Sequence, residues 1–298
     1  MPIAPRKAII RPDRKLLETP EHKPEDYGAV YPRASTGRRL ALAHWIASRS
    51  NPLTARVAVN HIWLRHFNAP LVDSVADFGL RAPEPLHRDV LDFLAIRFME
   101  EGWSMKALHR RIVLSRAYRR TSSSRAADPE TLRLDPDNRQ LWRMNPRRIE
   151  SQLVRDNLLH IGGRLDRTLG GPSVPADRPS QRRSIYFRHS RDDLHSFLAQ
   201  FDDADFLQCY RRAESIVPQQ ALALSNSALT LATARSLADL HQDRSEGEYI
   251  DFLFRTVLSR PPEDDEATAC REFLQTADQR RFLLAHALLN HNDFVTVR

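Results

Sequence analysis

Glycine is scarce in this chain, with nine in 298 residues. None stands in the spacing of a P-loop or a dinucleotide-binding fingerprint, which excludes the common phosphate-cradling loops. The stretch GGRLDRTLGG, residues 162–171, reads instead as a loop that needs left-handed backbone. Cysteine is scarcer still. Cys209 and Cys270 are isolated, with no CxxC and no CxxCH, which excludes a zinc ribbon and a covalent c-type haem. They are expected as two partly buried thiols, and the sequence leaves a disulfide between them open. No apolar run approaches eighteen residues, so no transmembrane helix is expected and no membrane partner. The N-terminus MPIAPRKAIIRPDRK lacks the apolar core of a signal peptide, and as written the chain is expected in the cytoplasm. Neither GxSxG nor HExxH occurs. The DFG at 77–79 has no glycine-rich loop, VAIK lysine or HRD beside it, so it does not mark a kinase.

Apolar residues make up 41% and charged residues 28%, which is enough for a folded core. Lysine contributes only 4 of the 45 basic residues, and arginine supplies the rest. The formal charge of +7 is uneven: residues 1–160 carry +10 and residues 161–298 carry −3. That asymmetry fits either an anionic partner for the first half or mutual attraction between the halves.

Residues 1–34 are rich in proline and charge and read as a tail or linker. Residues 35–298 read as one helical domain with three sub-regions: a basic helical half at 35–160, an irregular stretch with a strand at 161–217, and C-terminal helices at 218–298. A helix is expected soon after Ser35. Another follows Asn51-Pro52 as cap and first-turn proline and runs to Phe67. Further helices are expected from His87 to Glu101, from a Ser104 cap, from about Arg147, over much of 193–241, and in three C-terminal segments. Residues 121–137 read as a loop, and RRSIYFRHS at 182–190 is the best strand candidate. The predicted fold is mainly α, a multi-helix orthogonal assembly of about ten to twelve helices, with a small β element near 182–190.

Three groups of side chains invite chemistry. Arg56, Asn60, Trp63 and Phe67 share one helix face, and Asp77 just beyond the helix is the expected partner of Arg56. Arg148, Glu150, Arg155 and Asp156 follow in NPRRIESQLVRDNLL. Glu150 with Asp156 could serve as a carboxylate pair, but a salt-bridge network is the expected arrangement. Together, Arg56, Asn60, Trp63, Asp77, Arg148, Glu150, Arg155 and Asp156 form the candidate polar pocket. Lys106, Arg110, Arg111, Arg119 and Arg120 form the densest basic tract, a candidate for polyanions. The twelve histidines, including His44, His61, His66, His87 and His109, show no metal-finger spacing, and no metal site is expected.

NPLTARVAVNHIWLRHF (51–67) with DFG at 77–79, GWSMKALHRRIVLSRAYRRTS (102–122) and NRQLWRMNPRRIESQLVRDNLL (138–159) occur in that order. GRLDRTLGGPSV, RRSIYF, RRAESIVPQQALALSNSALTLATARSLA and the closing FRTVLSRPPEDDEATACREFL and LLAHALLNHNDFV follow them. Taken together, these segments resemble the PSD1 (DUF1553) domain of planctomycete-type multidomain proteins. The resemblance implies an exported system in which DUF1549 and haem-binding cytochrome-like domains lie upstream, so the chain would be exported or periplasmic if its start is truncated. It implies no catalytic residues, and haem only in those upstream domains, with no cofactor in this chain. The expected function is a non-catalytic interaction or scaffolding module, linked by the resemblance to polysaccharide handling. The alternatives are a hydrolase of an acidic or sulfated glycan and polyanion binding through residues 104–125, with nucleic acid ranked below an acidic glycan as partner.

Overall fold

The computed structural model describes residues 37–297, except 76, 80, 81, 126, 206–214, 216 and 277–279. The proline-rich 1–34 segment and Cys209 lie outside the described residues. Among the described residues there are twelve α-helices and one two-stranded sheet, so the fold is mainly α with a small β element. No described helix is long and apolar enough to cross a membrane. The chain divides into two compact units at Asn145–Pro146.

The first unit carries α1 (Arg38–Ala47), α2 (Thr54–Phe67), α3 (Arg88–Glu100), α4 (Met105–Val113) and α5 (Pro129–Leu134). In α2, Ala55, Val59, Trp63 and Phe67 recur every four residues, which aligns them on one buried stripe. That stripe packs with Leu91, Leu94 and Phe98 of α3 and with Leu108 and Ile112 of α4. Asn51 does not cap the helix itself. Its Oδ1 accepts from the N–H groups of Leu53 and Thr54, which closes the turn that launches α2 two residues later than expected. Gly102 and Trp103 both adopt left-handed backbone between α3 and α4, and the Trp103 N–H donates back to the Phe98 carbonyl. Ser104 then caps α4 through Ala107 N–H, as the sequence predicts. The 121–137 segment, read as a loop, contains the short α5. Pro129 occupies its first turn, and Arg133 pairs with Glu130 one turn away.

The second unit opens with β1 (Arg147–Arg148), paired antiparallel with β2 (Thr296–Val297), followed by α6 (Ser151–Ile161). Pairing with the C-terminus places α6 with the later helices, so this unit begins ahead of the charge change read at residue 160. The 182–190 segment holds a 3-10 turn at Ser184–Tyr186 flanked by isolated backbone bridges at Arg182, Phe187 and Ser190, while the ladder lies at β1–β2. Next come α7 (Ser196–Ala199), α8 (Pro218–Asn226), α9 (Ala228–Asp239), α10 (Glu246–Leu253), α11 (Asp264–Thr276) and α12 (Arg280–Leu289). Their shared core includes Leu158, Leu237, Tyr249, Leu253, Phe254, Leu274 and Leu289. Tyr249 is fully buried, donates its hydroxyl to the Arg281 carbonyl, and has its pKa pushed up by desolvation.

Ahead of α11, Arg260 grips Glu266 through two bonds of 2.6 and 2.7 Å and reaches Asp293 at 3.1 Å. The hydrogen bonds from Arg260 pull the Glu266 carboxyl down to about 2 from its ordinary 4.5. The folded carboxyl therefore ionises at lower pH than the unfolded one. The stability it contributes is complete above about pH 4.5 and is lost as the pH falls towards 2. Thermal melts from pH 6 to 2 should show this acid-side loss, and Arg260→Gln should flatten the part that Glu266 contributes. An unchanged acid limb in the variant would refute the assignment.

Candidate functional site

Within the first unit, the candidate polar residues are occupied with holding the fold. Arg56 Nε lies 2.6 Å from Asp92 of α3, and its Nη1 donates to the Pro52 carbonyl. The carboxylate that grips Arg56 is thus Asp92. Asp77 accepts from Gly79 N–H in its own loop. Asn60, fully buried, clamps the backbone of Val72 from both sides: its Oδ1 accepts from Val72 N–H at 2.9 Å and its Nδ2 donates to Val72 O at 3.1 Å. Trp63 stacks on Phe67 at 4.1 Å and borders a small hollow of about 130 Å³ beside His87 and Asn145. His66 Nε2 and His109 Nδ1 meet at 2.7 Å across α2 and α4. Among the described residues, no group of three or more His, Cys, Asp or Glu side chains is placed to hold a metal ion.

The basic tract is only partly available. Arg111 pairs with Glu101, and Arg120 donates to the Leu141 carbonyl at 2.5 Å. Lys106, Arg110 and Arg119 stand exposed on α4 and the turn after it.

The second unit brings chemistry together more tightly. A cleft of about 380 Å³ runs between the first two turns of α6 and the 183–204 segment. Of the candidate residues, Glu150 and Asp156 line it, Arg155 stands directly behind its wall, and Arg148 sits in the ladder opposite Thr296. Helix α6 is buried on two sides. Val154 and Leu158 join the core, while Arg155 and Asp156 are covered by residues 180–184. Arg155 donates to the carbonyls of Ser180 and Arg182 and to Ser184 Oγ, and its guanidinium lies 4.7 Å from the centre of the Phe187 ring. Asp156 Oδ1 accepts from both Ser184 N–H (2.8 Å) and Ser184 Oγ (2.6 Å). Arg155 and Asp156 are themselves 3.5 Å apart. This buried charged pair is viable only because nearly every donor and acceptor finds a partner. Burial still lowers the Arg155 pKa, with Asp156 opposing that shift.

Asp203 completes the opposite wall. Its Oδ1 accepts from Gln152 Nε2 at 2.5 Å and from Ala204 N–H at 2.8 Å, and its Oδ2 lies 3.8 Å from His189 Nδ1. His195 packs edge-on against Phe187, and its Nδ1 accepts from Leu198 N–H. Burial, reinforced by the Arg155 charge, lowers the His195 pKa and favours the neutral ring. With Nδ1 accepting, the proton of that ring sits on Nε2. Ser184, Phe187, His195 and Asp203 were not among the candidates from sequence. The one signal was the crowding of His and Asp between 189 and 205, where His189, Asp192, Asp193, His195, Asp202, Asp203 and Asp205 fall.

The larger hollow of about 590 Å³, bordered by α9, α10, α11 and α12, offers less. Arg281 donates to the carbonyls of His241 and Arg244, Arg280 to that of Leu274, and Arg235 lies over Phe282. The guanidiniums of Arg280 and Arg281 thus serve to close helix ends and loops.

No curated protein and no solved structure matches the chain. One family model does, PSD1, described as a protein of unknown function (DUF1553), and the match runs over residues 38–274, across both units. On that extent of agreement, the chain belongs to the PSD1 (DUF1553) family.

Proposed function

We propose that this chain is a non-catalytic binding module that takes its ligand in the α6 cleft. The observation that carries this reading is the commitment of Arg155. Its guanidinium, buried behind the cleft wall, is spent on two loop carbonyls and a serine hydroxyl that build that wall. Asp156 is tied in the same way through one oxygen. Groups so fixed shape a rigid surface and hold it open, which is what selective binding needs. The DUF1549 and cytochrome-like domains implied by the family resemblance are the protein partners we propose for such a module, and an exported system handling polysaccharide is the setting we propose for it.

A second reading, a glycan hydrolase, draws on one feature. Asp156 and Asp203 both line the cleft, and paired carboxylates are what glycoside hydrolysis uses. A third, polyanion binding at Lys106, Arg110 and Arg119, draws on their exposure.

One experiment separates the three. The full chain is incubated with neutral oligosaccharides, sulfated oligosaccharides and duplex DNA, and both binding and new reducing ends are measured. The module reading expects a cleft ligand bound without product, and weak binding to DNA that fades between 50 and 200 mM salt, as about three phosphate contacts would. New reducing ends that disappear in Asp156→Asn would overturn it in favour of the hydrolase.

A further inference from the structure

From the walls of this cleft we infer that its ligand is an uncharged, hydroxyl-rich ring, a sugar residue of a neutral glycan. The inference rests on the binding-module reading above. Among the described residues, the hydrogen bonds to Asp156 and to Asp203 all fall on Oδ1, so each of these lining carboxylates keeps its Oδ2 as an acceptor for a ligand. Arg183 Nε lies 3.8 Å from Asp156 Oδ2, and His189 Nδ1 lies 3.8 Å from Asp203 Oδ2. The same lining carries donors, namely the Nε2–H of neutral His195 and the guanidinium of Arg183. A ligand that meets both sets must donate and accept over a short distance. A sugar hydroxyl does both, whereas an ammonium only donates and a sulfate only accepts.

The charge balance points the same way. Glu150, Asp156, Asp193 and Asp203 bring four negative charges to the lining against two positive ones from Arg183 and Arg188, and burial favours the neutral ring of His195. A sulfated or carboxylated sugar would meet net repulsion there, and a neutral one would not. Apolar surface completes the fit. Leu153, 42% exposed, and Ile185, 71% exposed, stand at the mouth near Phe187, where the C–H face of a pyranose ring can pack.

The test uses the full chain and calorimetric titration at 150 mM salt with glucan, mannan, xylan and galactan hexasaccharides and a sulfated counterpart of each. At least one neutral hexasaccharide should bind, and its sulfated form at least tenfold more weakly. Leu153→Trp, which fills the mouth from an exposed position, should abolish binding. Asp203→Asn should weaken it about tenfold. Arg110→Glu, on α4 of the first unit and absent from the cleft lining, should leave it unchanged, and circular dichroism confirms that each variant is folded. Binding that survives Leu153→Trp, or no binding by any neutral hexasaccharide, overturns the inference. Tighter binding of a sulfated form that Leu153→Trp removes also overturns it, while the binding-module reading stands. New reducing ends would overturn the non-catalytic reading and leave the sugar assignment in place.

Discussion

Arg155→Met is expected to destabilise the 146–298 unit by about 3–5 kcal/mol, the usual cost of breaking a buried ion pair from one side. The loss has three sources. Asp156, only 8% exposed, is left with its close buried cation removed. The carbonyls of Ser180 and Arg182 and the Ser184 hydroxyl lose their donor. The loop they anchor, which forms one side of the cleft, loses its tie to Arg155 in the middle of α6. Arg155→Lys should recover little, because a single ammonium on a flexible stem cannot reproduce a planar fork that serves three acceptors. Arg155→Met combined with Asp156→Asn should cost less than the sum of the two single changes, since the orphaned charge is gone. Urea denaturation followed by far-ultraviolet circular dichroism measures all three. A loss under 1 kcal/mol for Arg155→Met would show that the pair is dispensable.

Asn60→Ala is expected to cost the first unit about 3 kcal/mol. Both of its bonds go to one backbone unit, the N–H and C=O of Val72, and its burial excludes water as a substitute. Truncation strands two buried backbone groups, each worth about 1–3 kcal/mol when unmet, and leaves a small cavity beside Val59 and Trp63. Asn60→Asp should be at least as damaging, since a carboxylate oxygen would face the Val72 carbonyl in place of the amide donor. All four tryptophans, Trp45, Trp63, Trp103 and Trp142, precede residue 145, so tryptophan fluorescence reads this unit directly. A fluorescence midpoint within error of the parent would refute the clamp.

Local pattern carried much of the helical layout. The four-residue spacing of Ala55, Val59, Trp63 and Phe67 marks α2, Ser104 marks the start of α4, and the acidic first turn after Pro262 marks α11. Caps and periodicity are legible because their energetics involve residues within one or two turns. The family, too, is written in local order, as strings whose succession matches one model across residues 38–274.

Partnerships at long range were not legible. Arg56 chose Asp92, 36 positions away on another helix, over Asp77 in the nearby loop. The backbone of 182–190 bends into a 3-10 turn because Asp156 and Arg155 seize Ser184, and a run of Ile185, Tyr186 and Phe187 carries no sign of that grip. Arg147–Arg148 pair with Thr296–Val297 across nearly the whole second unit. The cleft shows the same division. The sequence determined that Arg155 and Asp156 would be neighbours on α6 with Glu150 at its start, because helix geometry is local. Only the tertiary structure decided that Ser184, His195 and Asp203 would face them, because loop closure and burial select partners by position in space and not by distance along the chain.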